Sequence, residues 1–112
     1  METWVRAARA DDVIDVPFTE AVGPDGPVLL TRLPDGEVVA FEAACPHTFQ
    51  PLRRGELTAD GCIECPIHFY RYDARTGRNV FPDIDVTDTP LTRYLTRETG
   101  DGWIEVGRVI TT

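Results

Sequence analysis

Hydrophobic positions along the chain fall into short runs, and clusters of glycine, proline and aspartate separate these runs. The first clear pair of runs is residues 28–33 and 38–41, which are rich in valine and leucine. Turn-forming clusters lie before the pair, at residues 23–27, and between its members, at Pro34-Asp35-Gly36. Proline fixes one backbone dihedral, and glycine or aspartate tolerates unusual ones. The pattern therefore predicts a β-hairpin that leads directly towards Cys45.

Short apolar runs alternate with turns through the rest of the chain as well. The further predicted strands are residues 62–65, 70–72, 91–97 and 103–106, and their turns are Asp60-Gly61, Thr76-Gly77 and Gly100-Asp101-Gly102. Helical periodicity is scarce, and we expect one helical turn within residues 7–13, capped by Asp11 or Asp12. Many short strands between closely spaced turns favour an all-β sandwich or small barrel. We expect one domain over residues 1–112.

The charge of the chain is strongly acidic, with a formal net charge of −8 from 11 arginines, no lysine and 19 acidic residues. Such a surface repels phosphate backbones, so nucleic acid is not an expected partner. No apolar stretch approaches the ~20 residues of a membrane span. The N-terminus has an early acid and no apolar run of signal-peptide length. Membrane attachment and export are therefore not expected.

Cysteine usage indicates a reducing compartment. The chain has three cysteines, an odd number, and Cys62 is too close in sequence to Cys65 to staple a secreted fold. We therefore expect a cytoplasmic protein. Cys62 is interpreted as a buried strand cysteine, because a Cys-x-x-Cys redox pair would need Cys65 to be free.

Two short runs, Cys45-Pro46-His47 and Cys65-Pro66-Ile67-His68, each supply one thiolate and one imidazole, and residues 48–64 separate them. These are the only two histidines in the chain. Two thiolates could hold one iron and two imidazoles a second, as in a Rieske [2Fe–2S] cluster. Four such ligands also make a complete tetrahedral zinc set, so structural zinc is the chemical alternative.

The wider pattern resembles Rieske-type ferredoxins, the ferredoxin components of bacterial multicomponent aromatic oxygenases. The resemblance rests on residues 45–52, on Gly55-Glu56-Leu57, on residues 65–68 and on residues 73–77. It implies an antiparallel β-sandwich or barrel with a small cluster-binding subdomain of two ligand loops. It also implies one [2Fe–2S] cluster, with Cys45 and Cys65 on the inner iron and His47 and His68 on the outer one. The region around Pro82 resembles a third loop that covers the cluster.

The ligand loops depart from those of the high-potential Rieske proteins of respiratory complexes. Gln50 and Ile67 stand where those proteins have a pair of disulfide-bonded cysteines, and Tyr70 stands in place of a serine that donates to the cluster. Tyr72 fits the position of a donating tyrosine, and a core aromatic is an equal alternative. Fewer donors predict a potential towards the low end of the Rieske range, on the order of −150 mV.

The resemblance further implies a function in electron transport. A ferredoxin of this kind carries single electrons from a flavin or ferredoxin reductase to a terminal ring-hydroxylating dioxygenase or di-iron monooxygenase. We expect a monomer that docks transiently and has no substrate site, because no histidine remains for a second, catalytic iron. No glycine-rich dinucleotide fingerprint is present either. The small Rieske subunit of assimilatory nitrite reductase is the alternative.

Overall fold

The computed structural model of the chain describes residues 3–14, 18–46, 51–66, 71–80 and 90–110. Within these segments, regular structure consists of nine strands and two short 3₁₀ helices. The strands are β1 (Val5–Arg9), β2 (Thr19–Gly23), β3 (Gly26–Arg32), β4 (Val38–Glu42), β5 (Glu56–Leu57), β6 (Cys62–Glu64), β7 (Arg71–Asp73), β8 (Arg93–Glu98) and β9 (Trp103–Val109); the 3₁₀ helices are Ala10–Asp12 and Leu52–Arg54. The predicted all-β class is confirmed. No helix in these segments is long and apolar enough to cross a membrane.

The strands form two antiparallel sheets. The larger sheet has the order β1-β9-β8-β4-β3-β2, and its edge strands β1 and β2 approach each other, so the sheet curls into a near-barrel. The smaller sheet has the order β5-β6-β7. This arrangement agrees with the predicted barrel and small subdomain.

Strands β3 and β4 are buried on both faces, which explains why their sequences are almost continuously apolar. Side chains alternate along a strand, so neighbouring positions enter different cores. Leu30 and Ala40 belong to a core cluster inside the barrel. Leu29 and Phe41 belong to a second cluster, which also contains Ile63 and Tyr72 of the smaller sheet and is called the intersheet core below. The intersheet core therefore joins the small sheet to the barrel.

The predicted hairpins are confirmed where the structure describes them. Strands β3 and β4 pair with Leu30 opposite Ala40, as expected for the hairpin before Cys45. The strand predicted at residues 62–65 is β6, and those predicted in the last third are β8 and β9, paired antiparallel. Gly77 and Gly102 have positive φ angles of 76° and 90°, as their turns require. Tyr70 lies outside the described residues, so that hairpin is seen only from Arg71.

The helical turn predicted within residues 7–13 is wrong in its extent. Residues up to Arg9 form β1, and only Ala10–Asp12 form a 3₁₀ helix, with Arg9 as the N-cap residue and no side-chain cap. Pairing of Ala8 with Ile104 and of Arg9 with Trp103 overrides the helical preference of the alanines. Strands β1 and β2 were not predicted.

Gly55 lies between the bases of the two predicted ligand loops. A larger residue is excluded there because another backbone segment lies too close, and not because of the backbone angles of Gly55. Its φ is −78°, which any residue can adopt. A Cβ at this position would lie 2.3 Å from the carbonyl oxygen of Glu64, the residue before Cys65. The chain entering β5 is thus in direct backbone contact with the end of β6.

We predict that Gly55→Ala lowers stability by about 1–3 kcal/mol, because the added methyl group forces two backbone segments apart. Gly100→Ala is the matched control, since no atom lies within 4 Å of a Cβ at Gly100. The measurement is the thermal unfolding midpoint of the metal-loaded protein. Equal midpoints for the two variants would contradict the steric argument.

Candidate metal centre

Cys45 lies three residues beyond the end of β4 and is completely buried. Ala44 and Pro51 form an isolated β-bridge, and the N–H of Leu52 donates to the carbonyl of Ala43 at 2.9 Å. The chain therefore leaves β4 and returns beside its own path, which closes the base of the first predicted ligand loop. His47 is one of residues 47–50, which lie outside the described residues.

Cys65 directly follows β6 and is also completely buried. Strand β6 pairs with β7, which places Glu64 opposite Arg71, and the Nε of Arg71 lies 2.9 Å from the Oε2 of Glu64. This pair closes the base of the second predicted loop in the same way. His68 is one of residues 67–70, which lie outside the described residues.

The two cysteines enter the same core although they come from different sheets. Both belong to the intersheet core, together with Leu52, Ile63 and Tyr72. The structure therefore brings together Cys45 and Cys65 of the predicted ligand set. The positions of His47 and His68 stay a prediction.

Tyr72, in the middle of β7, makes a polar contact with one of the two buried cysteines. Its ring is completely buried, and its hydroxyl oxygen lies 3.3 Å from the Sγ of Cys45. Burial raises the pKa of Tyr72 above its ordinary value, and the hydrogen bond and the charges of Cys45 and Cys65 raise it further. The hydroxyl stays protonated and can donate to a thiolate. Tyr72 is thus a core aromatic, and its donation to a cluster ligand stays a prediction that its position beside Cys45 permits.

Cys62 is separate from this site. It lies in β6 and is buried, but it does not belong to the intersheet core, which contains its neighbour Ile63. Burial and the charge of Asp60 raise the pKa of the Cys62 thiol, which disfavours the reactive thiolate. The prediction of a buried strand cysteine is confirmed, and none of the three cysteines forms a disulfide.

The donors present fit the inner iron of a Rieske cluster. Two thiols share a water-excluded core, and a protonated hydroxyl is directed at one of them. An unpaired thiolate in such a core is costly, and metal coordination removes that cost. The described segments contain no group of three or more potential metal ligands, because both histidines lie outside them.

Several loop positions singled out in the sequence lie outside the described residues. They are Gln50, Ile67, Tyr70 and Pro82. Conversely, sequence reasoning missed Glu42, whose carboxylate accepts a hydrogen bond from the backbone of Thr92. No signal in the chain connects positions 42 and 92, since their contact depends on the pairing of β4 with β8.

Comparison with known families gives a match over most of the chain. The profile described as Rieske [2Fe-2S] domain matches residues 3–90. The 3-phenylpropionate/cinnamic acid dioxygenase ferredoxin subunit of Escherichia coli is 34% identical over 96 residues, which cover 84% of this chain and 88% of that subunit. Other relatives are much longer, and the chain spans only 16–20% of the length of the oxygenases and the desaturase among them.

Solved structures with the same fold include a nitrite reductase small subunit and a chain of an oxygenase–ferredoxin complex. The putative NADH-dependent nitrite reductase small subunit from Mycobacterium tuberculosis has a TM-score of 0.82 and 26% identity, with 99% of both chains covered. A complex of reduced oxygenase and oxidized ferredoxin in carbazole 1,9a-dioxygenase contains a chain with a TM-score of 0.75 and 25% identity, covering 92% of this chain and 91% of that one. The family match does not support the structural zinc alternative.

We predict that Tyr72→Phe lowers the midpoint potential of the bound cluster. If Cys45 binds the cluster as predicted, it does so as a thiolate, and the hydroxyl of Tyr72 would stabilise the more negative, reduced state by donating to it. A net hydrogen-bond contribution of about 1 kcal/mol corresponds to a decrease of roughly 40 mV for one electron. The measurement is protein-film voltammetry.

Tyr94→Phe is the matched control for this variant. Tyr94 is a partly buried tyrosine that packs against the barrel core and not against the intersheet core. We expect its removal to leave the midpoint potential unchanged. A Tyr72→Phe potential equal to that of the wild type would show that the hydroxyl does not act on the cluster.

Proposed function

Because the chain belongs to the Rieske [2Fe-2S] family, we propose that it is a ferredoxin, which carries single electrons from a reductase to a terminal oxygenase. The observation that carries this proposal is the extent of the match to a dioxygenase ferredoxin subunit. This chain aligns with 88% of the ferredoxin subunit, but it aligns with only a small part of each oxygenase. A Rieske [2Fe–2S] domain holds one cluster, which supplies a one-electron couple when bound.

The proposed ligands are Cys45 and Cys65 for the inner iron and His47 and His68 for the outer iron. The shared burial of the two sulfurs supports the first pair. The second pair is supported by sequence position, since each histidine follows its cysteine within a loop whose base is closed by strand pairing. In this arrangement Cys45 and Cys65 would hold the inner iron in a core that excludes water. Tyr72 holds its proton against the Cys45 sulfur.

We propose that the chain has no substrate site of its own. With His47 and His68 assigned to the cluster, no histidine within these 112 residues is left for a catalytic iron of the two-histidine, one-carboxylate type. Electron delivery is then the whole contribution of the chain, and a second protein carries out substrate chemistry. A cytoplasmic location fits the three cysteines, none of which is in a disulfide.

The proposed partners are a flavin or ferredoxin reductase and a terminal oxygenase, and the chain would meet each of them as a monomer. The formal net charge of −8 supports steering towards basic docking faces. A carrier must release each partner in turn, which is consistent with the small, transient interfaces of redox encounters.

The ligand assignment predicts that His47→Ala and His68→Ala abolish the Rieske spectrum, whereas Cys62→Ser leaves it intact. Cys62→Ser is the matched control because this thiol lies outside the intersheet core. The measurements are the electron paramagnetic resonance spectrum of the dithionite-reduced protein, the iron content and the acid-labile sulfide. Loss of the cluster in Cys62→Ser, or one zinc in a colourless wild-type protein, would refute the assignment.

Electron delivery is tested with any reductase and terminal oxygenase that are encoded beside this chain. We expect the cluster to be reduced by NADH only when the reductase is present, and to be reoxidised by the oxygenase in a stopped-flow experiment. Increasing ionic strength should slow both steps if acidic steering operates. A loaded cluster that exchanges electrons with neither protein would contradict the proposal.

A second candidate function is that of a nitrite reductase small subunit, favoured by the match over 99% of both chains to such a subunit. The two functions differ in how long the chain stays with its partner. Co-expression with a sirohaem reductase encoded beside the chain should give a complex that is stable to gel filtration if the second function is correct. Elution as a separate small protein favours the ferredoxin.

A further inference from the structure

A groove lies at the end of the molecule opposite the two buried cysteines. Its lining includes Leu33, in the turn before β4, and Ala59, in the turn before β6. Cys45 and Cys65 follow the other ends of the same two strands. The two ends of β4 are about 13 Å apart, and Cys45 lies three residues beyond the strand. The groove is therefore remote from the metal centre.

The lining of the groove is largely apolar and continues both cores to the surface. Val13 belongs to the barrel core and Leu33 to the intersheet core, and both are buried. Ile14 is also part of the lining, and 48% of its surface is exposed. The groove has a volume of about 710 Å³, which is within the usual range of binding sites. It can therefore take a large apolar side chain from another molecule.

Arg32 holds the walls of the groove together. Its Nε donates to the carbonyl of Val13 at 2.9 Å, its Nη2 to the carbonyl of Ala10 at 2.8 Å and its Nη1 to the carbonyl of Gly36 at 2.9 Å. The first two carbonyls belong to the segment after β1, and the third belongs to the turn between β3 and β4. The groove is therefore preformed, and the guanidinium of Arg32 is directed at backbone carbonyls.

Two exposed carboxylates of the groove lining are not neutralised by an arginine. They are Asp11, just after β1, and Glu98, at the end of β8. Neither takes part in the seven arginine–carboxylate contacts of the described segments. Strand β9 separates β1 from β8, so the two acids are two strand spacings, roughly 10 Å, apart across the sheet. Arg32 is the one cation among the described residues of the lining, so acids outnumber cations there.

We propose that this groove is a holding site for a partner protein, and that it binds a loop with one large apolar side chain flanked by arginine or lysine. The apolar side chain fills the groove, and the flanking cations face Asp11 and Glu98. The inference rests on the proposed function, because it names the chemistry of one partner surface of the ferredoxin.

Binding at this end leaves the cysteine end of the molecule free. A partner held in the groove prolongs the encounter, since most differences in affinity between related complexes lie in the dissociation rate. The cluster can meanwhile exchange electrons at the other end. The groove therefore acts on the strength of the encounter and not on the reduction potential.

The first test is a titration of the isotope-labelled, metal-loaded protein with the end-blocked peptide Arg-Arg-Leu-Arg-Arg, followed by NMR. We expect saturable shifts of the backbone amides of residues 10–14, 33, 57–59 and 98. The matched peptide Arg-Arg-Gly-Arg-Arg has the same charge, and we expect it to bind at least about fivefold more weakly because it lacks the apolar side chain. Equal affinities, shifts spread over the acidic surface, or no shifts would overturn the inference.

Variants of the chain separate the apolar contact from the charge. We expect Ile14→Ser to weaken binding of the leucine peptide about fivefold. Val22→Ser is its matched control, because Val22 is 61% exposed and lies outside the groove. We expect Glu98→Gln to weaken binding about two- to threefold, and Asp25→Asn, in the turn between β2 and β3, to leave it unchanged. Equal weakening by both members of either pair would overturn the inference.

Two other occupants of the groove give different results. If the groove is a small-molecule site, benzylamine, a small apolar cation, shifts the groove amides and binds more tightly than the leucine peptide. If the groove takes a second copy of this chain, the same amides shift with protein concentration alone. Either result would overturn the inference.

Electron transfer distinguishes a failure of this inference from a failure of the proposed function. With any reductase and terminal oxygenase that are encoded beside the chain, Ile14→Ser should raise the concentration of one partner needed for the half-maximal rate about fivefold. The midpoint potential of the cluster should stay unchanged. Unchanged half-maximal concentrations for both partners would overturn the inference. A missing Rieske signal in the wild type would instead refute the proposed function, and the peptide titration would still decide whether the groove binds.

Discussion

The structure depends on placing two sulfur atoms from different sheets in one water-excluded core. Cys45 follows a strand of the barrel, Cys65 follows a strand of the small sheet, and both are completely buried beside Tyr72. A metal centre bound to both thiolates would therefore crosslink the two sheets through their shared core. Because the metal binds the folded arrangement and not the separated ligands, part of its affinity becomes folding free energy. A domain of this size, with a small core, gains proportionally from such a link.

The same constraint explains the unusual burial of the central hairpin. Strands β3 and β4 face the barrel interior on one side and the cysteine-containing core on the other, so polar alternation is absent from both. Charged residues are displaced to turns and edges, where five arginines form ion pairs with acids within the described segments. An acidic exterior around an apolar, sulfur-containing interior is the result.

Much of this arrangement follows from local chemistry and was predictable. Turn clusters such as Pro34-Asp35-Gly36 and apolar runs such as β4 determine hairpins over a few residues, and the spacing of Cys45 and Cys65 indicated their common role. Strand β1 was not predictable in the same way, because its pairing partner β9 lies at the other end of the chain. The contact of Glu42 with Thr92 has the same long-range origin. Alanine-rich sequence near residue 8 favoured a helix locally, and only tertiary pairing decided otherwise.

The closed bases of the two ligand loops have a consequence for the speed of electron exchange. Each loop leaves and re-enters the framework through a paired position, Ala44 with Pro51 in one case and Glu64 with Arg71 in the other. Gly55 then holds the two bases in backbone contact. If Cys45 and Cys65 hold the inner iron as proposed, a framework fixed in this way would let these two ligands move little when the charge changes, and little reorganisation of them would accompany the gain or loss of an electron. Rigidity at the loop bases would then favour the rapid electron exchange that the proposed carrier function needs.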